Sequence, residues 1–353
     1  MLTLRRKNAP LVGLDLSSTS VKVLELVKNG AGYRVEGYAV EPLPANSVQE
    51  KTIADVDAVG ETIRKAVKRA GSKTKACAMA VPGSAVITKV ITMPAALSED
   101  EMEAQVQLEA DQYIPYSLEE VNLDFNVLGP SEGNPETMDV LLAASRSENV
   151  DMRIAAAEIA GLVPKVMDVE PYAVETAYTQ VMEGASEADS ERLVAILDVG
   201  ATMTSLDVVS NGQLIYTREQ PFGGKQLTEE VMRRYGLSYE EAGLAKKNGQ
   251  LPENYVTEVL VPFKETIVQQ ANRFLQFFYS ASQHSSVDHV VVAGGCAAIP
   301  GVDELIESRL STPTSIANPF GFMSLGSRVN AEKLNSDASS LLIACGLALR
   351  GFD

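Results

Sequence analysis

The stretch VGLDLSSTSVK, Val12–Lys22, sets one carboxylate, Asp15, in an apolar run and follows it at once with Ser17, Ser18 and Thr19. Lys22 arrives seven positions after the aspartate. An acid at the end of a buried strand needs a partner, because burying an unpaired carboxylate is costly. Taken alone, the motif reads equally as a cleft group or as an acid capping the turn of an ordinary hairpin. A second copy favours the cleft. AILDVGATMTSLDVV, Ala195–Val209, again runs apolar into an aspartate, Asp198, then small residues and Thr202.

The likeness continues downstream. Each copy passes into an alternating strand, VKVLEL or TSLDVV, and then into an Asn-Gly pair, Asn29-Gly30 or Asn211-Gly212. Asn-Gly is the strongest short-range hairpin signal. A third strand follows each turn, YRVEGYAV or LIYTREQ, and each half later closes an apolar strand with small residues, at Pro82-Gly83 and at Gly294-Gly295. A duplicated unit of this kind implies two related α/β domains facing each other across a cleft. Successive N–H groups and hydroxyls in each turn make an anion-binding concavity, and two such turns pinch a polyphosphate. Their aspartates repel phosphate directly, so a hydrated divalent cation held by both carboxylates must stand between.

Composition excludes several alternatives. The chain has 353 residues, 45% hydrophobic and 22% charged, as in ordinary globular proteins with room for two domains. Its net charge of −17 argues against a nucleic-acid surface, which needs clustered cations. The longest apolar run, LLIACGLAL, is half the length of a membrane span. The basic triplet in MLTLRRKNAP is followed too soon by Asp15 for a signal-peptide core, so a cytoplasmic location is expected. Cys77, Cys296 and Cys345 sit in apolar stretches without CxxC spacing and read as core residues. His284 and His289 lack a surrounding carboxylate cluster and read as surface or helix-end residues.

The two aspartate loops resemble the phosphate motifs of the actin, sugar-kinase and large ATP-dependent chaperone superfamily. VVVAGGCAAIPGVDELIESRL resembles its adenosine motif, VEPYAVETAY its first connecting helix and LLIACGLALRG its second. The implied fold is α/β, with duplicated RNase H-like (actin-like) domains around a central nucleotide cleft and a small α+β subdomain inserted in domain I. Within the superfamily, GLDLSSTSVKVLEL and the segment Met93–Leu128 are similar to the PilM family of type IV pilus assembly proteins, relatives of FtsA. In that segment Ser98 and Glu101 form a capping box that opens a helix, which must stop at Ile114-Pro115. VNLDFNVL and MDVLLAAS read as strands joined by a polar hairpin loop, GPSEGNPET, and NVDMRIAAAEIAGL as a further helix.

The expected boundaries are 1–83 and 161–188 for domain I, with 84–160 as the insertion. Domain II takes 189–225 and 285–339 with a helical subdomain at 226–284, and 340–353 returns to domain I. Gly-Gly-Lys at Gly223–Lys225 lacks the GxxxxGK[ST] spacing and is not a P-loop. Ile267, Ala271, Phe274, Leu275 and Phe278 fall on one face of a core-packing helix.

The resemblance implies ATP and Mg2+ as ligands. Asp15 and Asp198 would hold the metal through water, while Ser17, Ser18, Thr19, Gly200, Ala201 and Thr202 line the phosphates. Lys22 sits at the offset of a phosphate-contacting lysine, or else faces outward on its strand. Glu170 occupies the position of a water-positioning acid, or else only caps a helix ahead of Pro171. Lys246, Gly294 and Gly295 would approach the adenosine. Gly243 stands where relatives often carry Glu, which puts a ribose contact in doubt, and Cys296 stands in place of a third glycine. Hydrolysis, if any, is expected to be slow.

The implied function is an adaptor that grips the N-terminal cytoplasmic peptide of PilN between the insertion and domain I. It would link PilN to the pilus assembly motor ATPases, with self-association, no span of its own and an inner-membrane position gained through its partner. The alternatives are a small-molecule (sugar) kinase and an FtsA-like filament former. Repressor-type sugar kinases carry a Cys-rich zinc motif and a catalytic histidine region that are missing from this sequence. The second carries a C-terminal amphipathic membrane helix for which GLALRGFD shows no basic amphipathic character.

Overall fold

The computed structural model describes residues 10–182 and 192–352. The basic triplet near the N-terminus, the last residues of the segment 161–188 and the start of the segment 189–225 lie outside the described residues.

The strand Val12–Leu16 is buried along its whole length, as its apolar composition requires. It pairs antiparallel with Ser20–Asn29, which pairs antiparallel with Gly32–Pro42. On its other side it runs parallel to Ala76–Val81, which runs parallel to Val163–Val169. The short strand Ser324–Leu325 extends the far edge beside Gly32–Pro42. The second lobe repeats this order. Gln213–Gln220, Thr204–Ser210, Leu193–Val199, His289–Ala293 and Thr314–Ile316 lie side by side, the first three antiparallel and the last two joined in parallel. Even the register slip recurs, between Glu25 and Leu26 in one lobe and between Val208 and Val209 in the other.

The two hairpins differ at their tips. Asn211 and Gly212 form the expected two-residue loop, both left-handed at φ 52° and 71°. In the first lobe Asn29 instead pairs with Gly32, so the loop slides one residue to Gly30–Ala31, with Gly30 at φ 63°. One glycine suffices to reverse the chain, and the pairing of the flanking strands sets which neighbour joins it.

Between the sheets run two helices, Glu170–Ala177 and Leu342–Leu349. Their apolar faces share one buried layer with Leu24 and Leu26 of the first sheet and Val194 and Ile196 of the second. Gly346 marks their crossing, where an added Cβ would lie 1.8 Å from the Ala173 carbonyl oxygen. The Arg350 guanidinium donates to Asp168 at 2.7 Å and fixes the returning C-terminus to the first sheet.

The insertion is a three-stranded sheet, Val86–Pro94, Asn134–Arg146 and Val121–Ser131 in spatial order. It is covered by the helix Glu99–Ala110, whose Met102, Val106 and Ala110 pack on Ile91, Met93, Val140 and Leu142. The Ser98–Glu101 capping box forms, and the helix ends at Ala110, ahead of the Ile114-Pro115 stop. The expected loop GPSEGNPET is mostly strand, and only Glu132 and Gly133 turn. Pro130 is tolerated because Val121–Ser131 is an edge strand. The last helix of the expected insertion, 84–160, packs away from this sheet. Ser147–Ile159 buries Ala156 and Ala157 in the core of the first lobe and presses Ile159 against Gly60 of the helix Val56–Ala70. A run of small residues looks alike in either setting, and only the partner decides.

In the second lobe the helices Gly224–Tyr235, Tyr239–Asn248 and Val261–Ala281 form the helical part. All five residues of the expected apolar face, Ile267 to Phe278, are buried. The three cysteines are buried, His284 stacks on Phe278 at a helix end, and His289 opens its strand with Nε2 2.8 Å from Ser315 Oγ.

Gly346→Ala is expected to lower stability by on the order of 3 kcal/mol, read by urea unfolding, because the connecting helices cannot separate without breaking the shared layer.

Candidate functional site

Both aspartate loops end their strands in the same turn. Ser17 N donates to Ser20 O and Gly200 N to Met203 O, each at 3.0 Å, at matching distances beyond Asp15 and Asp198. The hydroxyls of Thr202 and Ser18 meet at 2.8 Å, so the two turns touch across the interface of the lobes. They border a cleft of about 670 Å³ lined by residues of both lobes, among them Asp15, Ser17, Ser18, Thr19, Lys22, Glu170, Asp198, Gly200, Ala201, Lys246, Gly294 and Gly295. The sequence-predicted residues therefore gather at one place.

Strand register fixes the side chains. Asp15 stands directly opposite Lys22 on the neighbouring strand, so both project from one face, and Lys22 Nζ donates to Asp15 Oδ2 at 2.7 Å. Lys22 thus faces the cleft and not the solvent. In the second lobe the same register sets Ser205 opposite Asp198. Burial works to lower the Lys22 amine, but Asp15 and then Asp198 outweigh it and hold it above its ordinary value. Burial lifts the Asp198 carboxyl, with Lys22 and Lys51 pulling the other way.

Gly294 is left-handed at φ 84°, and a Cβ there would lie 2.3 Å from Asp198 Oδ1. Only glycine lets this loop close over the aspartate. Cys296 reaches back toward the Gly200 carbonyl at 3.5 Å and packs against Gly224, while burial pushes its thiol up to about 12. Lys246 donates to Thr228 Oγ1 at 2.5 Å, and burial lowers its amine. Gly243 faces open space within the cleft lining.

Three residues of the site were not singled out in the sequence. Lys51 Nζ lies 2.5 Å from Glu170 Oε2 and 2.9 Å from Glu219 Oε1, which belong to opposite lobes. The two carboxylates overcome burial and hold Lys51 charged, while burial lifts Glu170 against the pull of Lys51. Lys51 follows Glu50 in a turn where both have positive φ, 64° and 46°, which nothing in the local sequence announces. Asp207 carried a signal, since it sits in the apolar strand TSLDVV. It is buried, accepts a hydrogen bond from Thr217 Oγ1 at 2.7 Å, and burial pushes its carboxyl up to about 7.

Duplicated lobes of this order around a cleft, joined by two central helices, define an actin-like protein. The ethanolamine utilization protein EutJ from Carboxydothermus hydrogenoformans shares the fold at 16% identity, with a TM-score of 0.56 over 97% of this chain and 90% of its own. The chain belongs to the family described as type IV pilus assembly protein PilM, which matches residues 13–352. A solved PilM-PilN type IV pilus biogenesis complex aligns with a TM-score of 0.81 and 27% identity, over 98% of this chain and 99% of that one. The cell division protein FtsA of Bacillus subtilis is 25% identical over 88% of this chain and 79% of its own length.

The Asp207 carboxyl binds its proton more tightly folded than unfolded, so its contribution to stability is present below about pH 4 and is lost as pH rises through about 7. Asp207→Asn is expected to flatten stability across that window and to gain at least about 1 kcal/mol at pH 8 by chemical unfolding.

Proposed function

We propose that the protein works in type IV pilus assembly as an actin-like clamp. It binds ATP with Mg2+ between its lobes and holds the N-terminal cytoplasmic segment of PilN between its insertion and its first lobe. The observation that carries the nucleotide reading is the pair of matched turns that meet through Ser18 and Thr202 beside the cleft. A volume of about 670 Å³ is in the range of small-molecule sites.

The donors suit a magnesium nucleotide. Among the described residues no three His, Cys, Asp or Glu side chains gather to hold a metal. Magnesium needs no such cage, since it keeps waters and binds through one or two carboxylates and phosphate oxygens. Asp15 and Asp198 supply the carboxylates. The turn groups of Ser17–Thr19 and Gly200–Thr202 supply donors for phosphate, with Lys22 beside them. Gly294, Gly295 and Lys246 line the side expected to take adenosine. When bound, the metal would neutralise phosphate charge. Glu170 is the water-positioning candidate, and its bond to Lys51 disfavours its service as a base, in keeping with slow hydrolysis.

The partner reading draws on the family and on the aligned complex, whose description pairs PilM with PilN. A pocket of about 210 Å³ supports it, lined by Ser84, Ile87, Ile114, Tyr116, Arg146 and Asn149 where the insertion meets the first lobe. The Arg146 guanidinium stacks 5.5 Å from the Tyr116 ring centre and offers a cationic and aromatic wall. Among the described residues no helix is long and apolar enough to cross a membrane. In this reading the protein sits on the inner membrane through PilN and passes its state to the assembly motor, with self-association as a further property.

Calorimetric titration tests the clamp. ATP with magnesium is expected to bind the wild type, and Asp198→Asn to weaken it at least about tenfold. Equal affinity in the two proteins removes the clamp. Tyr116→Ala is expected to weaken a fluorescent PilN N-terminal peptide at least about fivefold by anisotropy, and unchanged binding moves the partner elsewhere.

A further inference from the structure

The geometry points to Lys51 as a latch that joins the two lobes beside the cleft and carries the state of that joint to both hinges of the inserted subdomain. The latch itself is the pair of contacts already described, to Glu170 of the first lobe at 2.5 Å and Glu219 of the second at 2.9 Å. Glu219 lies one residue before the end of the strand Gln213–Gln220, so a parting of the lobes at this point stretches the Lys51–Glu219 bond. One oxygen of Glu219, Oε2, is buried with no hydrogen-bond partner, so Lys51 is what compensates this carboxylate.

The connection to the insertion runs through Arg153, a buried arginine on the helix Ser147–Ile159. Its NH2 group donates to the Lys51 carbonyl, its Nε to the Ala80 carbonyl and its NH1 to the Asn149 carbonyl, each at 2.9 Å. Ala80 lies at the end of the strand that leads into the insertion, and Arg146–Asn149 is where the chain leaves it. One guanidinium therefore ties the latch loop to both crossings. The first crossing also touches the latch directly, since a Cβ on Gly83 would lie 3.0 Å from the Pro171 ring and 3.7 Å from Glu219 Oε1. The structure holds the latch made, and coupling to the insertion requires a second arrangement with the Lys51–Glu219 pair broken, since coupling between distant sites needs an element with two states. Lys51 is a positioning residue here. It acts on the insertion through Arg153 and on the cleft through Glu170.

Regulation of the partner groove by nucleotide rests on the ATP reading given above, while the latch itself does not. Hydrogen exchange read by mass spectrometry separates the two. Without nucleotide, Glu219→Ala is expected to speed amide exchange about threefold or more in residues 83–94 and 146–153, with helix Val261–Ala281 unchanged as the control for an intact second lobe. Wild-type exchange rates at both crossings overturn the latch, whether or not ATP binds. If Glu219→Ala disturbs the control helix, Glu219→Gln carries the same comparison with volume preserved. A second arm adds ATP and magnesium to the wild type and to the variant. The hinge segments are expected to respond in the wild type and to lose at least about two-thirds of that response in the variant. An equal hinge response in both proteins overturns the latch. No response at residues 17–20 and 200–203 in the wild type defeats the nucleotide reading and leaves the first comparison to decide the latch.

Discussion

Burying carboxylates beside one cleft is the constraint from which the site follows. Asp15, Asp198, Asp207, Glu170 and Glu219 all line it, four of them on strands of the two sheets and Glu170 at the start of the helix Glu170–Ala177. Such groups are tolerable only if paired, hydrogen-bonded or neutral. The site uses each of these solutions. Asp15 is paired with Lys22, Glu170 and Glu219 share Lys51, and Asp207 rests on a threonine hydroxyl with its carboxyl lifted toward neutrality. Among the described residues no cation pairs directly with Asp198, and its carboxyl is raised by burial. That imbalance makes the strand ends receptive to a further positive charge, while Lys225, Lys246 and Lys247 line the same cleft from the helices of the second lobe. A ligand that is positive at one end and anionic beside it meets both demands.

Duplication explains why the two loops meet, and departure from it explains why they differ. A shared order of five strands and matching turn hydrogen bonds carry the loops to equivalent places on each lobe, and packing the lobes face to face brings Ser18 and Thr202 together. The position opposite each aspartate is where the copies part. Lys22 stands there in the first lobe and Ser205 in the second. A second lysine would leave two like charges facing one cleft. With one lysine, one aspartate is paired from within its own sheet and the other faces a serine.

Much of this was legible in the residues because it depends on local rules. The aspartate loops, the hairpins, the capping box at Ser98 and the buried face of Val261–Ala281 each follow from spacing within one element. What escaped depends on contacts far apart in sequence. Lys51 sits in a polar turn and gains meaning only from Glu170 and Glu219, more than a hundred positions away. The helix Ser147–Ile159 joins the first lobe because Gly60 leaves room for Ile159, a fact about another helix. The slide of the first hairpin by one residue reflects strand pairing, which the Asn-Gly signal alone does not fix. Asp207 was the exception, since an acid among apolar strand residues is visible locally. It was overshadowed by the aspartate nine positions before it.

Two kinds of contact hold the lobes together, and their unequal strength decides how they can move. Along the central helices the lobes share a continuous apolar layer, with Gly346 allowing the helices to touch backbone to backbone. Breaking that layer would expose many large side chains at about 25 cal/mol per Å² of apolar surface. Beside the cleft the named links are the Ser18–Thr202 hydrogen bond and the Lys51–Glu219 ion pair. A hydrogen bond is worth on the order of 1 kcal/mol net, and an ion pair that regains water on opening not much more. The lobes therefore have a stiff hinge and a weak clasp. A ligand needs only a few kcal/mol of preference for one arrangement to shift the population. Because the clasp and the crossings of the insertion meet at Gly83 and Arg153, the cheapest motion of the lobes is also the one that reaches the inserted subdomain.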